Sequence, residues 1–359
     1  MLDQNLLEAE DDEILQQDIE ELAETLTCVE QLKDKTVFVT GSTGLIGSQV
    51  VRTLACINRK KDMNIKILAL VRNIERAKKV FGRLLERGDV TAVVGDISRK
   101  IEVSEDVHYI IHGASPTSSQ YFVSNPVETI MTAISGTNHI LGFAKEKQVE
   151  GMVYLSSLEV YGTPDHTHTY ISEKDYGYIE QLSVRSSYSE GKRMAECLCA
   201  SYAKEYQVPV RIARLSQTFG PGVDYNDGRV FAEFVRCAVE KRNIVLHTQG
   251  NTVRSYCYTK DAVSALLHIL LKGTDGEAYN VTNMDTAVSI REMADLVCDI
   301  FPESGICTVV DIPEDVDKFG YNPEMVIRLD SSKLESLGWH ASVSLPEMYI
   351  RMAKSSFQK

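Results

Sequence analysis

Thr36-Val37-Phe38-Val39-Thr40-Gly41-Ser42-Thr43-Gly44-Leu45-Ile46-Gly47 decides the fold of this 359-residue chain. A short β-branched and aromatic run passes directly into three glycines at three-residue spacing, and a helical pattern follows from Ser48 to Cys56. A strand that turns through glycines into a helix is a nucleotide-binding turn. The first glycine, Gly41, permits the tight turn. Gly44 lets backbone approach a pyrophosphate, Gly47 allows helix and strand to pack closely, and the helix N-terminus offers amide donors to an anion. Thr43, Leu45 and Ile46 fill out the loop and are assigned to the cofactor with the glycines.

Outward from this turn, strands and helices alternate. Lys66 to Val71, Val90 to Val94, His108 to His112, Gly151 to Ser156 and Val208 to Leu215 read as strands; Pro126 to Lys147 and Ser187 to Tyr206 read as long helices. Alternation of this kind predicts an α/β fold, a Rossmann-type doubly wound parallel sheet. The rhythm breaks near residue 216, where Gly220-Pro221-Gly222 opens a region of short strands and isolated helices. The expected organisation is therefore a helical leader over 1–33, a mainly dinucleotide-binding domain over 34–215 that also carries the catalytic residues, and a mainly substrate-binding domain over 216–359.

The second strand tests the cofactor. An acid at its end would bind the adenosine ribose, whereas an arginine there suits a 2′-phosphate. The residues are Val71 and Arg72, with Arg76 and Lys78 close behind, which leans toward NADP. Asp96 and Ile97, after the third strand, are candidates for the adenine edge.

Charge is unevenly placed. Acids number 51 and bases 38, a net of −13; residues 1–30 hold 11 of the acids and no Lys or Arg. The remainder carries 40 acids against 38 bases and is nearly neutral. That balance argues against a nucleic-acid-binding surface as the main function, because phosphate binding needs a basic face. Within the leader, Leu15, Ile19, Leu22, Leu26 and Val29 recur at helical spacing and predict an amphipathic helix docked on the body or on a partner subunit. No apolar stretch is long enough for a transmembrane helix, and the acidic start does not read as a signal peptide. The eight cysteines show no C-x-x-C pair, so neither a metal site nor a disulfide framework is expected, and reduced thiols in the cytoplasm are.

Tyr188-Ser189-Glu190-Gly191-Lys192 puts a phenol and an ammonium one helical turn apart on one face. A nearby cation stabilises phenolate, so Tyr188 is the candidate base that removes a hydroxyl proton while hydride leaves for a nicotinamide. Ser157 ends the preceding strand on the ligand-binding edge of such a sheet and can hydrogen-bond the reacting oxygen. Glu159 follows it.

Taken in order, Thr40-Gly41-x-x-Gly44-x-x-Gly47, Ser157-x-x-x-Tyr161-Gly162 and Tyr188-x-x-x-Lys192 strongly resemble the extended short-chain dehydrogenase/reductases of the NAD(P)-dependent nucleotide-sugar epimerase/dehydratase family, across about residues 35–345. Within it, His112-Gly113-Ala114-Ser115-Pro116, Glu159-Val160-Tyr161-Gly162, Arg185-Ser186-Ser187-Tyr188, Asp227-Gly228-Arg229 and Arg254-Ser255-Tyr256 are similar to segments of UDP-glucuronate decarboxylases. The resemblance implies that Ala114, Ser115, Tyr188 and Lys192 touch NAD or NADP. It also implies that Pro116, Arg185, Gln217, Arg229 and Arg254 hold a nucleotide-diphosphate sugar, with Arg229 and Arg254 facing the diphosphate, and that the protein is a homodimer. Three positions depart from the decarboxylase pattern: Leu158 stands where a serine is usual, Gln217 where an asparagine is, and Val71-Arg72 where the second strand ends in aspartate.

The implied first step is oxidation at sugar C4, by Tyr188, Lys192 and Ser157. If C5 bears a carboxylate, the resulting β-keto acid can lose carbon dioxide, with Glu159 beside C5. A 4-epimerase, or an NADPH-dependent reductase of a keto-sugar nucleotide or activated polyol precursor, needs fewer groups and tolerates Leu158. A non-catalytic cofactor sensor is disfavoured by the joint presence of Ser157, Tyr188 and Lys192.

Overall fold

The computed structural model of the protein describes residues 6–165, 169–313, 324–355 and 357; Asp3 of the acidic leader lies outside them. The strands are β1 (Thr36–Thr40), β2 (Lys66–Val71), β3 (Val90–Val94), β4 (Tyr109–His112), β5 (Gly151–Ser157), β6 (Val210–Leu215), β7 (Gln217–Phe219), β8 (Ile244–Leu246), β9 (Val253–Tyr258), β10 (Ala278–Val281), β11 (Asn283–Ser289), β12 (Thr308–Val310) and β13 (Val326–Ile327). Seven of them form one sheet in the order β10-β6-β5-β4-β1-β2-β3, with every pairing parallel. The chain begins at β1, winds outward to β3, then crosses back to β4 and winds the other way. Strand order therefore reverses between β1 and β4, and a crevice opens there at the carboxyl ends of the strands. The sheet takes its seventh strand, β10, from beyond residue 216, so the chain returns to the large sheet after entering the smaller part. That smaller part holds the sheet β11-β9-β13, with β7 also paired to β9.

The helices are α1 (Glu13–Thr25), α2 (Leu45–Lys61), α3 (Ile74–Phe81), α4 (Ser119–Ser124), α5 (Pro126–Met131), α6 (Thr137–Lys147), α7 (Ser187–Tyr206), α8 (Val230–Glu240), α9 (Thr259–Lys272), α10 (Ile290–Ile300), α11 (Ser332–Glu335) and α12 (Leu345–Lys354). Parallel strands buried on both faces alternate their side chains between two cores. Val37 and Val39 of β1 join Val50, Leu54 and Leu266 of α2 and α9 on one face; Phe38 joins Ile140, Leu141 and Ala195 of α6 and α7 on the other. The expected single helix over 126–147 is interrupted by a π turn, Thr132–Gly136. The widened turn seats Gly136 against Ile97, where a Cβ would lie 2.6 Å from Ile97 Cδ1.

The leader packs on the body through α2 and α9. Its helix stops at Thr25, one turn earlier than the apolar spacing predicts, yet Leu15, Ile19, Leu22, Leu26 and Val29 are all buried. Its acids are largely neutralised. Glu8 pairs with Arg59 and Arg87, Glu10 with Arg83, Glu20 with Arg59 and Lys60, Glu21 with Lys260, Glu24 with Lys60, and Asp18 with Arg351. Asp18 also accepts from the Tyr258 hydroxyl at the end of β9. The segment thus joins α2, beside the seven-stranded sheet, to β9 and α12 of the smaller part. No described helix is long and apolar enough to cross a membrane.

Candidate active site

The glycine turn is a cradle that side chains would fill. Gly41 adopts φ +67°, and a Cβ on it would meet Gly113 C at 2.6 Å; one on Gly47 would meet Gly41 O at 2.2 Å. The turn is held by Ser42 Oγ donating to Leu70 O at 2.8 Å. At the head of α2, Gly44 is the N-cap and no side chain caps the helix. The first amides of α2 therefore point to the crevice without a side-chain acceptor, as a bound pyrophosphate requires. Thr43, Leu45 and Ile46 line this turn half-buried. These features fit a dinucleotide.

Thr40 couples the turn to the loop after β4. Its hydroxyl lies 2.6 Å from His112 Nδ1 and accepts from Ala114 N at 3.2 Å. Burial drives the His112 imidazole down to about 3, so it is neutral there. Ala114, Ser115 and Pro116 follow, half-buried at the crevice edge, with Ser115 Oγ donating to Pro116 O at 3.2 Å. At the far end of β2, Arg72 is exposed. Asp96 is held below the usual carboxylate range by the Ser98 amide first, with Arg72 and Arg99 adding positive charge. Ile97 is buried.

At the carboxyl end of β5, the Ser157 hydroxyl accepts from Glu159 N at 3.3 Å and acts on the Tyr188 phenol, favouring its ionised form. Tyr188 stacks on Phe122, centroids 4.2 Å apart and planes within 10°. Burial pushes the phenol up to about 12; the Ser157 hydroxyl pulls against this, Glu159 adds to it, and Arg229 opposes it. Lys192 Nζ lies 5.7 Å from the Tyr188 ring centroid and 4.7 Å from that of Tyr154, and donates to Leu155 O at 2.7 Å. Burial lowers its pKa to about 8. The ammonium is therefore beside the phenol but bonded to strand backbone.

The substrate candidates separate. Arg229, at the head of α8, is tied to Asp227 through Nε at 3.0 and 3.1 Å and Nη2 at 2.6 Å. Arg254 on β9 is buried and its Nη1 has no hydrogen-bond partner among the described residues. Burial pulls the Arg254 pKa down, the Glu159 carboxylate raises it, and Arg185 adds like charge. Arg254 is therefore linked to Arg185 and to Glu159, which in turn acts on Tyr188, as Arg229 also does. Gln217 pairs opposite Tyr256 on β7, half-buried. Leu158 does not join these residues. It turns into a satellite core with Val160, Tyr161, Ile171, Ile327 and Leu329.

Two features escaped the sequence reading. Phe122 carried no chemical signal of its own. Glu196, buried one turn beyond Lys192, was legible as helical spacing.

Comparisons with known proteins bear on the fold and the family. Residues 37–282 match the model of the NAD dependent epimerase/dehydratase family. The chain is 32% identical over 317 residues to UDP-glucuronic acid decarboxylase 6 of Arabidopsis thaliana, covering 87% of this chain and 85% of that one. Among solved structures it is similar to UDP-glucose 4-epimerase of Thermotoga maritima (TM-score 0.74, 21% identity, 89% of this chain and 97% of that one). It is similar also to UDP-glucuronic acid 4-epimerase of Bacillus cereus, solved with UDP-glucuronic acid and NAD (TM-score 0.72, 19% identity, 89% and 98%). At these identities the solved structures speak for the fold, while the family match and the curated relative speak for descent: the chain belongs to the NAD dependent epimerase/dehydratase family, as an extended short-chain dehydrogenase/reductase enzyme.

Proposed function

We propose that the protein is a UDP-glucuronate decarboxylase that works through a 4-keto sugar. The observation that carries this is Arg254, a buried guanidinium with an unpartnered nitrogen, grouped with Glu159 beside the Ser157–Tyr188–Lys192 constellation. A neutral sugar gives a buried cation little; a C5 carboxylate supplies the charge-assisted partner that Nη1 lacks. The decarboxylase similarity over most of the chain supports the same substrate. This moves Arg254 from the diphosphate, where the resemblance puts it, to the reacting end of the sugar.

The bound nicotinamide supplies hydride acceptance at the start and hydride return at the end. The chain's own residues do the rest. Tyr188 takes the C4 hydroxyl proton, Ser157 steadies the forming carbonyl, and Lys192 holds positive charge beside the phenolate. The C5–carboxylate bond then breaks, its electron pair moves toward the C4 carbonyl as an enolate, and carbon dioxide leaves. Glu159 is placed to manage the proton that C5 regains, and Tyr188 returns its proton to O4. The cycle is redox-neutral, which favours a retained NAD. Asp96 supports NAD as well, since a 2′-phosphate placed at Arg72 would also meet that ionised carboxylate.

We infer a homodimer through α5 and α7, which pack on each other and leave Val127 (73% exposed), Met131 (52%) and Met194 (50%) open on their outer faces. Met131→Glu should convert dimer to monomer in sedimentation. All eight cysteines are unpaired, in keeping with a cytoplasmic site of action. Calorimetric titration tests the substrate: UDP-glucuronate should bind at least tenfold more tightly than UDP-glucose, and Arg254→Met should remove the difference. Equal affinities in the parent protein would overturn the assignment of Arg254.

A further inference from the structure

Behind the candidate site lies a buried polar network that none of the chemical steps uses. Glu196 sits on α7, four residues after Lys192. Its carboxylate accepts from Ser156 Oγ at 2.5 Å, from Arg214 Nε at 3.0 and 3.2 Å, and from Arg214 Nη2 at 2.6 Å. Ser156 is the strand neighbour of Ser157. Arg214, on β6, also donates to the Tyr161 hydroxyl at 3.0 Å, to Glu173 O at 2.8 Å and to the Tyr176 hydroxyl. Tyr161 in turn donates to Asn280 Oδ1 of β10 at 2.5 Å. Glu196 thus bonds the helix that bears Tyr188 and Lys192 to the strand that ends in Ser157, one residue beyond the Lys192–Leu155 O bond that joins the same two elements.

Charge makes the same residue matter a second way. The Lys192 ammonium is buried, and its bond goes to a neutral carbonyl, Leu155 O. The groups around it are the rings of Tyr154 on β5 and Tyr188 on α7, Cys199 and Glu196 on α7, and His112 on β4, which is neutral. The Glu196 carboxylate, one turn further along α7, acts on it and opposes the effect of burial.

We propose that Glu196 is a positioning residue for the reaction: it clamps α7 to the end of β5 through Ser156 and to β6 through Arg214, so holding Ser157 toward Tyr188, and it sets a carboxylate one helical turn from the buried Lys192 ammonium. The reaction assigned to this site rests on the reading above, but the clamp and the charge are measurable without it. Isosteric Glu196→Gln removes the charge, Glu196→Asp keeps it, and Ser156→Ala removes only the strand–helix bond.

The first readout is the titration of Lys192, followed in the full-length protein by the pH dependence of its acylation by acetic anhydride, with peptide mass spectrometry. The midpoint should lie near 8 in the parent protein. It should fall by about one unit, a tenfold change in acidity, in Glu196→Gln, and stay within a few tenths in Glu196→Asp and Ser156→Ala. The second readout is turnover with UDP-glucuronate and NAD. Ser156→Ala should lose about tenfold in kcat with KM unchanged, and Glu196→Gln should show its high-pH loss of activity about one unit lower. An unmoved Lys192 midpoint in Glu196→Gln overturns the charge role, and an unchanged kcat in Ser156→Ala overturns the clamp. If Glu196→Gln does not fold, Glu196→Asp and Ser156→Ala decide: a Lys192 midpoint in Glu196→Asp more than half a unit below the parent's, or an unchanged kcat in Ser156→Ala, overturns the proposal. Should the parent protein not turn over UDP-glucuronate, the decarboxylase reading fails and the lysine titration still judges Glu196.

Discussion

Replacing Glu8 by glutamine should destabilise the protein by about 3 kcal/mol without touching its chemistry. Glu8 is fully buried, as is Arg87, and Arg59 is 17% exposed. The carboxylate meets Arg59 Nε at 3.0 Å and Nη2 at 2.8 Å, Arg87 Nη1 at 2.7 Å, and the Gln16 amide at 3.0 Å. Removing one partner of a buried ion pair costs about 3–5 kcal/mol, because the other charge is left in low dielectric. The lower end applies, since Arg87 keeps Asp89 and Arg59 keeps Glu20. With an unfolding entropy of roughly 2 cal/mol/K per residue over this length, 3 kcal/mol lowers Tm by about 4 °C. The sign with pH is also set. Arg59, Gln16 and Arg87 together outweigh burial and hold the Glu8 carboxyl below its ordinary value. Its contribution is complete above about pH 4.5 and is lost as pH falls through the lowered folded value. Differential scanning calorimetry from pH 7 down to pH 3 should show the gap between parent and variant closing in acid. A variant within 1 °C of the parent at pH 7 would refute the view that the leader is clamped to the body.

Three further outcomes can be checked together. Tyr188→Phe should reduce turnover by at least a thousandfold while NAD binding, followed by fluorescence, stays within a few-fold; retained activity would remove Tyr188 as the base. Leu158→Ser should lower Tm without raising decarboxylase activity, because it puts a hydroxyl into an apolar cluster at a cost of about 1–3 kcal/mol; a gain in activity would place residue 158 in the site after all. Arg72→Ala should change NAD affinity less than threefold, whereas a large loss confined to NADP would show that Arg72 reads a 2′-phosphate.

Much of the fold was readable because its signals are local. The turn at Gly41–Gly47 and the helix over 187–206 follow from short-range spacing, and both stand where that spacing puts them. The return of β10 to the main sheet was not readable, since a four-residue strand carries no mark of its distant partner β6. The π turn at Thr132–Gly136 seats Gly136 against Ile97, about forty residues away, and no local pattern announces it. Leu158 shows the same limit at the site. In sequence it stands between Ser157 and Glu159 and reads as a missing catalytic group, but in the turn after β5 it points away into apolar packing. The leader's docking was legible in its aliphatic spacing, but the use of its eleven acids was not: only their pairing with Arg59, Arg87, Lys260 and Arg351 shows a clasp.

The most direct measurement is incubation of the purified protein with UDP-glucuronate labelled at its carboxyl carbon, with NAD added and without. Labelled carbon dioxide should be released in step with a UDP-pentose detected by mass spectrometry, with no net accumulation of NADH. Conversion of UDP-glucuronate to an isomer of unchanged mass with no carbon dioxide, or steady consumption of reduced cofactor, would contradict a decarboxylase built on Tyr188, Glu159 and Arg254.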